Sequence, residues 1–304
     1  MHRKYNIEKG QMTELSPDAL PLLKNSALYG DDLRPVKISG RNWTYIDFAT
    51  LWISMSICIP TYSLASGLIT SGMNWWQAIF TIFAGNIIVL IPMVLIGAAS
   101  TRYGIPYPVF CRASFGTKGA HFPALLRAGI ACGWFGINCW IGGEFLYSAL
   151  FVSFPIISAV PHAKFISFLF FWAVNVYLAY KGNEMIRRMN MIATPILTAA
   201  GFVVIFWALY EAGSIAGLFS ATPKITAGGV KNASFASLFL PSLNAMIAYW
   251  ATLALNIGDF TRLAKSQKDQ LIGQSIGLPP TMAFYSLVGV MGTLGSVVVF
   301  GRGI

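Results

Sequence analysis

An indole one helical turn before a primary amide suits the grip of a flat, nitrogen-bearing ring. The segment Cys132-Gly133-Trp134-Phe135-Gly136-Ile137-Asn138 supplies such a pair. On a helix the four-residue step puts Trp134 and Asn138 on one face. A ring stacked on Trp gains about 1–3 kcal/mol by analogy with base stacking, and the amide offers its polar edge both a donor and an acceptor. Tyr249-Trp250, followed by Thr252 and Asn256 and preceded by Asn244, offers a second stacking surface, so that two indoles can sandwich one ring. The same residues fit plain helix packing equally well. Gly133, Gly136, Gly142 and Gly143 would admit a neighbouring helix closely, with Trp filling space. Glu144 is the other anomaly, because a charged carboxylate inside an apolar span costs roughly 2.5–3.5 kcal/mol unless paired or hydrated. It fits either proton coupling or an end of the span that reaches water. His2, His121 and His162 are too scattered to build a metal or acid–base cluster, which argues against an enzyme.

The elements that position these residues are membrane helices. Charged residues make up 11% and apolar residues 56% of the 304 positions, too little charge to coat a soluble globule. No charge occurs between Asp47 and Arg102, Glu144 and Lys164, Arg188 and Glu211, or Asp269 and Arg302. A helix needs about 20 apolar residues to cross the hydrocarbon, so each gap holds one or two spans. Seven helical spans are expected, over 46–69, 74–98, 121–152, 164–181, 186–210, 235–258 and 272–299. Strands of alternating polarity, the mark of a barrel, are not seen.

The cations set the orientation. Arg3, Lys4, Lys9, Lys24, Arg34, Lys37 and Arg41 precede the first span, and Arg102, Arg112 and Lys118 lie between the second and third. Lys181, Arg187 and Arg188 follow the fourth span; Arg262, Lys265 and Lys268 follow the sixth. The opposite loops hold Lys164, Lys224 and Lys231, with Arg302 beyond the last span. The N-terminus is therefore expected in the cytoplasm, and the net charge of +10 is a topology signal rather than a nucleic-acid footprint. The polar opening residues predict a cytoplasmic tail over 1–44 without a secretory signal. A first block of five helices over 45–212, an extracellular loop over 213–234 and two further helices over 235–304 follow. Cys58, Cys111, Cys132 and Cys139 lack metal-site spacing and read as reduced packing residues. Trp43, Tyr45, Trp75, Trp76, Tyr103 and Tyr107 flank the spans and read as headgroup anchors.

Two spans carry mid-helix prolines, Cys58-Ile59-Pro60-Thr61-Tyr62 in the first and Pro241-Ser242-Leu243-Asn244 in the sixth. A proline deletes a backbone hydrogen bond and frees a carbonyl. On its own that makes a kink. Broken helices one and six, five spans apart, suit a transporter of inverted five-helix repeats with its site at the breaks.

Several segments then carry a resemblance: Asp32-Leu33-Arg34-Pro35-Val36, Arg41-Asn42-Trp43-Thr44, Asn74-Trp75-Trp76-Gln77, Tyr103-Gly104-Ile105-Pro106-Tyr107-Pro108-Val109, Trp134-Phe135-Gly136 and Gly258-Asp259-Phe260-Thr261-Arg262. From Asp32 to its end the chain resembles the nucleobase:cation symporter-1 permeases for cytosine, uracil, allantoin and hydantoins. The resemblance implies an all-α, LeuT-like inverted-repeat fold in the inner (plasma) membrane, working by alternating access with Na+ or H+ as coupling ion and no cofactor. It places the substrate ring between Trp134 and Trp250, with Asn138 where relatives carry Gln. Cys58 falls where relatives carry Gln or Asn, and Tyr249 where some carry a small residue. It also assigns the backbone carbonyls of Ser54 and Ile57 to a sodium site whose remaining ligands come from an eighth span.

Family members continue past a seventh span, so the chain is expected to be truncated within its second repeat, and a non-functional or partner-requiring fragment is one alternative. A seven-helix receptor or retinal pump is the other. The charge bias opposes it, and residues 270–301 hold no lysine for a Schiff base.

Overall fold

The computed structural model describes residues 6–219 and 234–301. Arg3, Lys4, Lys224, Lys231 and Arg302, and most of the loop expected over 213–234, lie outside the described residues. The chain divides into two compact units, Met1–Phe110 with Asn190–Ile304, and Cys111–Met189.

In the first unit the tail opens with an antiparallel pair, β1 (Asn6–Lys9) and β2 (Met12–Leu15), and the short helix α1 (Ala19–Lys24). The first span is broken into α2 (Tyr45–Ser56) and α3 (Ile59–Thr70), which meet at 57°. Then come α4 (Trp75–Tyr103) and the start of α5 (Tyr107–Gly119), a helix interrupted by Gly116 at φ 68°. After the second unit the chain returns through α8 (Asn183–Ala212), α9 (Ile215–Phe219), α10 (Phe235–Asn256), α11 (Gly258–Thr261) and α12 (Gln267–Phe300). Among the described residues six helices are long and apolar enough to cross a membrane, seven if the broken pair counts as one span.

Local chemistry sets the helix starts. Asn74 Oδ1 accepts from the Gln77 N–H and Gln77 Oε1 from the Asn74 N–H, both at 3.0 Å, a reciprocal cap that opens α4. Ser234 and Ser266 accept from the amides of Ser237 and Asp269 to open α10 and α12.

Close packing then relies on small residues, as expected where lipid supplies no hydrophobic push. Helix α12 runs through the middle of the first unit. A Cβ on its Gly277 would lie 2.8 Å from Trp52 Cβ and 3.0 Å from Ala49 Cα, and one on Gly289 would lie 2.8 Å from the Tyr62 carbonyl. These glycines let α2 and α3 lie directly on the α12 backbone. Between α4 and α10 the contact is at Gly85, where a Cβ would fall 2.6 Å from Met246 Cβ. Trp52, Ile69, Ile82, Met93, Leu278 and Met282 fill the core.

The second unit is a helix pair, α6 (His121–Ser153) and α7 (Ala163–Tyr180), joined through a turn in which His162 adopts φ 58°. A Cβ on Gly143 would lie 2.5 Å from Phe168 Cα, so this glycine sets the approach of the two helices.

Two expectations change. Pro241 does not break the sixth span, and α10 runs unbroken through it from Phe235 to Asn256. Only one N–H is lost, and five residues further on the helix packs closely on α4, Met246 against Gly85. Trp43 and Tyr107 are not headgroup anchors but buried, at 2% and 6% exposure. Trp43 exchanges backbone bonds with Leu263 (3.0 Å) and Lys265 (2.8 Å), and the Tyr107 N–H donates to Asp259 Oδ1 (2.9 Å), so both are drawn inward at helix junctions.

Candidate functional site

The break in the first span is where backbone and side chains converge. Ile57 leaves the helix at φ −82°, ψ 82°, and Cys58 is extended at φ −147°, ψ 160°. The Cys58 N–H turns to the Ser56 carbonyl at 3.1 Å, two residues back, so the Ser54 carbonyl loses its helical partner four residues on. Pro60 then sits in the first turn of α3, where its missing N–H costs nothing. Nearby, Ser54 Oγ lies within hydrogen-bond reach of both the Leu51 carbonyl (3.0 Å) and Asn190 Oδ1 (2.8 Å), and the second contact ties α2 to α8.

Just past the break, three side chains form a triangle. Cys58 Sγ lies 3.3 Å from Thr61 Oγ1 and 3.5 Å from Tyr249 Oη, and the two hydroxyls are 3.2 Å apart. Cys58 and Tyr249 are half-buried, while Thr61 is fully buried and reaches Met282 Sδ at 3.9 Å. The first and sixth spans thus meet through polar groups at the break, with Tyr249 carried on an unbroken helix.

Trp250 is less open than a stacking wall requires. Its indole is 6% exposed and stands edge-on to Trp52, with ring centres 5.3 Å apart and planes at 86°. The N–H groups of both indoles are buried without a hydrogen-bond partner. Asn256 is drawn away from the break, its amide donating to Asp259 Oδ2 at 3.2 Å, and Asn244 is exposed. In the second unit Trp134 and Asn138 share a face of α6 as expected, and the Asn138 amide donates to the Trp134 carbonyl at 2.9 Å. Trp134 is 37% exposed, and Glu144 is exposed further along the same helix. The four cysteines form no disulfide.

Sequence reasoning passed over Thr61, although it lies three residues after Cys58, one turn along the new helix. Beyond reading their aromatics as headgroup anchors, it gave no role to the motifs of the tail and loops. These interlock. Arg41, 3% exposed, donates to the carbonyls of Val36 (3.0 Å), Thr101 (2.8 Å), Arg102 (3.3 Å) and Thr13 (2.8 Å). Burial pushes its pKa down, and Glu14 partly offsets this. Thr101 Oγ1 donates to the Thr261 carbonyl at 2.9 Å and Arg262 to the Asp32 carbonyl at 3.0 Å. A cavity of about 540 Å³ beside this knot is lined by Glu14, Asp32, Arg34, Lys37 and Arg262 among others. Its charges of both signs do not suit an uncharged ring.

A chain with this helix order, one broken first span and small-residue seams has the architecture of a polytopic membrane protein. Residues 35–304 match the family of permeases for cytosine/purines, uracil, thiamine and allantoin, and the chain belongs to that family. It is 42% identical over 285 residues to the purine-uracil permease NCS1 of Arabidopsis thaliana, covering 91% of this chain and 46% of that one. To the allantoin permease of Bacillus subtilis it is 35% identical, covering 92% of this chain and 58% of that one. The chain thus spans about half the length of these curated relatives. Among solved structures it is similar to Mhp1, a nucleobase-cation-symport-1 family transporter in a closed conformation with bromovinylhydantoin bound. The TM-score is 0.75 at 23% identity, over 91% of this chain and 59% of that one. The LeuT-like fold expected from the sequence is the fold observed.

Proposed function

We propose that this chain belongs to a secondary active transporter that imports a nucleobase-like nitrogen heterocycle, such as uracil, cytosine, allantoin or a hydantoin. Import is by alternating access across the inner (plasma) membrane, with the N-terminus cytoplasmic and a Na+ or H+ gradient as the driving force. The substrate contacts in this reading are Trp134 for stacking and Asn138 for hydrogen bonding on α6, with Cys58, Tyr249 and Trp250 on the first and sixth spans. The carbonyls of Ser54 and Ile57 serve the coupling ion.

The observation that carries this reading is the broken first span, with Cys58 and Tyr249 in contact beside it, in a chain of a permease family. A break frees backbone carbonyls in a place where only protein, ligand or ion can satisfy them.

Uptake of radiolabelled uracil, cytosine, allantoin and hydantoin tests it, in cells expressing the complete reading frame, with and without sodium and across a pH series. One ring should accumulate against its gradient, and Trp134→Ala should lower uptake about 5- to 150-fold, the value of one lost stacking contact. Full uptake by Trp134→Ala would remove the stacking model, and no uptake of any ring would remove the substrate class.

A further inference from the structure

We propose that the cavity beside the knot of tail and loops is a second ligand site, separate from the ring contacts, and that it takes a phosphorylated sugar of the ribose phosphate class. The site goes beyond the transporter reading and does not depend on which ring is carried.

Three cations line this cavity, Arg34 and Lys37 from the tail and Arg262 from the loop after α11. Among the described residues none of the three forms an ion pair. Arg262 gives Nη1 to a neutral partner, the Asp32 carbonyl at 3.0 Å, while its Nε is buried with no hydrogen-bond partner among the described residues. Ser16, just past β2, also lines the cavity at 9% exposure, and its Oγ is buried and unpartnered in the same way. A buried donor without a partner is costly, so both groups point to an acceptor that the chain does not supply.

The acids on the same wall are partly engaged. Glu14 Oε2 accepts the Ile38 N–H at 3.1 Å, and Asp31 Oδ1 accepts the Tyr29 hydroxyl at 2.7 Å. Asp32 is exposed and bonds Arg262 through its backbone, so its carboxylate stays available.

Cations without carboxylate partners favour an anion, and two guanidinium forks favour phosphate, which brings a charge of about −1.5 to −2 and three acceptor oxygens. A carboxylate ligand has two oxygens and a single charge, too few for two forks and an ammonium. Acids beside the cations repel a bare anion but accept hydroxyl protons, as they do from ribose in dinucleotide sites. Phosphate for the cations and hydroxyls for the acids together describe a sugar phosphate. The volume agrees: about 540 Å³ lies within the range of about 300–1,000 Å³ for small-molecule sites and leaves room for an organic body behind the phosphate.

The lining joins β2, the segment before α2 and the loop after α11, which the Arg41 bonds and the Thr101–Thr261 bond also tie together. A ligand across them binds the folded knot and not the unfolded chain, so occupancy raises the melting temperature.

The test is thermal melting and equilibrium dialysis of the complete protein in detergent, with inorganic phosphate, ribose and ribose 5-phosphate, and with phosphatidylglycerol in mixed micelles as the lipid source of a phosphate. None of these probes carries a ring base, so the transport site is not read. Ribose 5-phosphate should raise the melting temperature and bind about tenfold or more tightly than inorganic phosphate, and ribose should leave the melt unchanged. Arg34→Gln and Lys37→Gln, both at exposed positions, should each weaken ribose 5-phosphate about tenfold, the loss of one hydrogen bond to a charged group, without moving the unliganded melting temperature. Asp32→Ala should narrow the preference over inorganic phosphate to about threefold or less. Equal binding of inorganic phosphate and ribose 5-phosphate by the native protein, which needs no variant to fold, overturns the inference. So does the absence of any shift with ribose 5-phosphate, stabilisation by the lipid alone, or native affinity in both cation variants. Each of these outcomes leaves the transporter reading intact, because binding is measured without transport.

Discussion

Two regions of the first unit hold themselves together in opposite ways. At the knot of tail and loops, Arg41 gives its protons to four backbone carbonyls, Asp259 takes the Tyr107 amide, and Trp43 pairs with the strand-like stretch around Ala264. Backbone carbonyls cannot move without moving the chain that carries them, here β2, the segment before α2 and the end of α4, so this end is braced. At the break, by contrast, α3 and α10 meet through a thiol and two hydroxyls at 3.2–3.5 Å, groups that turn on single bonds. The braced part lies at the ends of the spans and the adjustable part within them.

If that contrast is right, the largest losses come from the knot. Arg41→Met leaves the four carbonyls without their donors in a buried place. At about 1–3 kcal/mol for each unsatisfied group, the cost is on the order of the whole stability of a domain. The variant should yield no monodisperse peak in detergent size-exclusion chromatography. A native-like peak and melting temperature would show that the knot is not a brace.

Gly104→Ala should come next. Gly104 closes α4 at φ 66°, and a Cβ there would lie 2.6 Å from both Arg41 Nη2 and the Val36 carbonyl. Overpacking and left-handed backbone together predict a loss of about 1–3 kcal/mol, read as a lowered melting temperature with the protein still folded. Asp259→Asn keeps an acceptor for the Tyr107 amide but loses its charge, so a smaller drop of about 1 kcal/mol is expected by the same measurement.

The contrast also explains what could be read from the sequence. The segments that carry the family resemblance, Arg41-Asn42-Trp43 and Gly258-Asp259-Phe260-Thr261-Arg262 among them, are the braces, and they touch one another rather than the proposed ring contacts. Uncharged runs located most of the spans, though not the third, which carries Arg127 and Glu144, because insertion into lipid depends on the summed polarity of about 20 residues. Which side of a helix faces protein was not legible, since lipid and core are equally apolar. The most apolar stretch of α12 is 61% buried and that of α4 33%, yet both read as uniform runs. Thr61 escaped notice for the same reason: its partners, Tyr249 and Met282, are distant in sequence and meet it only through helix packing. Trp43 was misplaced because an aromatic at a span's end can face headgroups or fill a junction, and its pairing with Leu263 and Lys265 decides which.

The smallest effects should separate the two prolines. Pro60 occupies the first turn of α3, where no helical N–H is needed, so Pro60→Ala gains no bond and loses only the stiffness that proline gives the unfolded chain. It should destabilise by about 0.4–1 kcal/mol. Pro241 lies inside α10, where alanine would add an amide able to bond the Ser237 carbonyl. That gain of about 0.5–1.5 kcal/mol offsets the same entropic loss and leaves a net change between about 0.5 kcal/mol destabilising and about 1 kcal/mol stabilising. Thermal melts of both variants in one detergent compare the signs directly. A clear loss of stability in Pro241→Ala would mean that α10 uses its proline as a joint after all, and that the adjustable region includes the sixth span as well as the first.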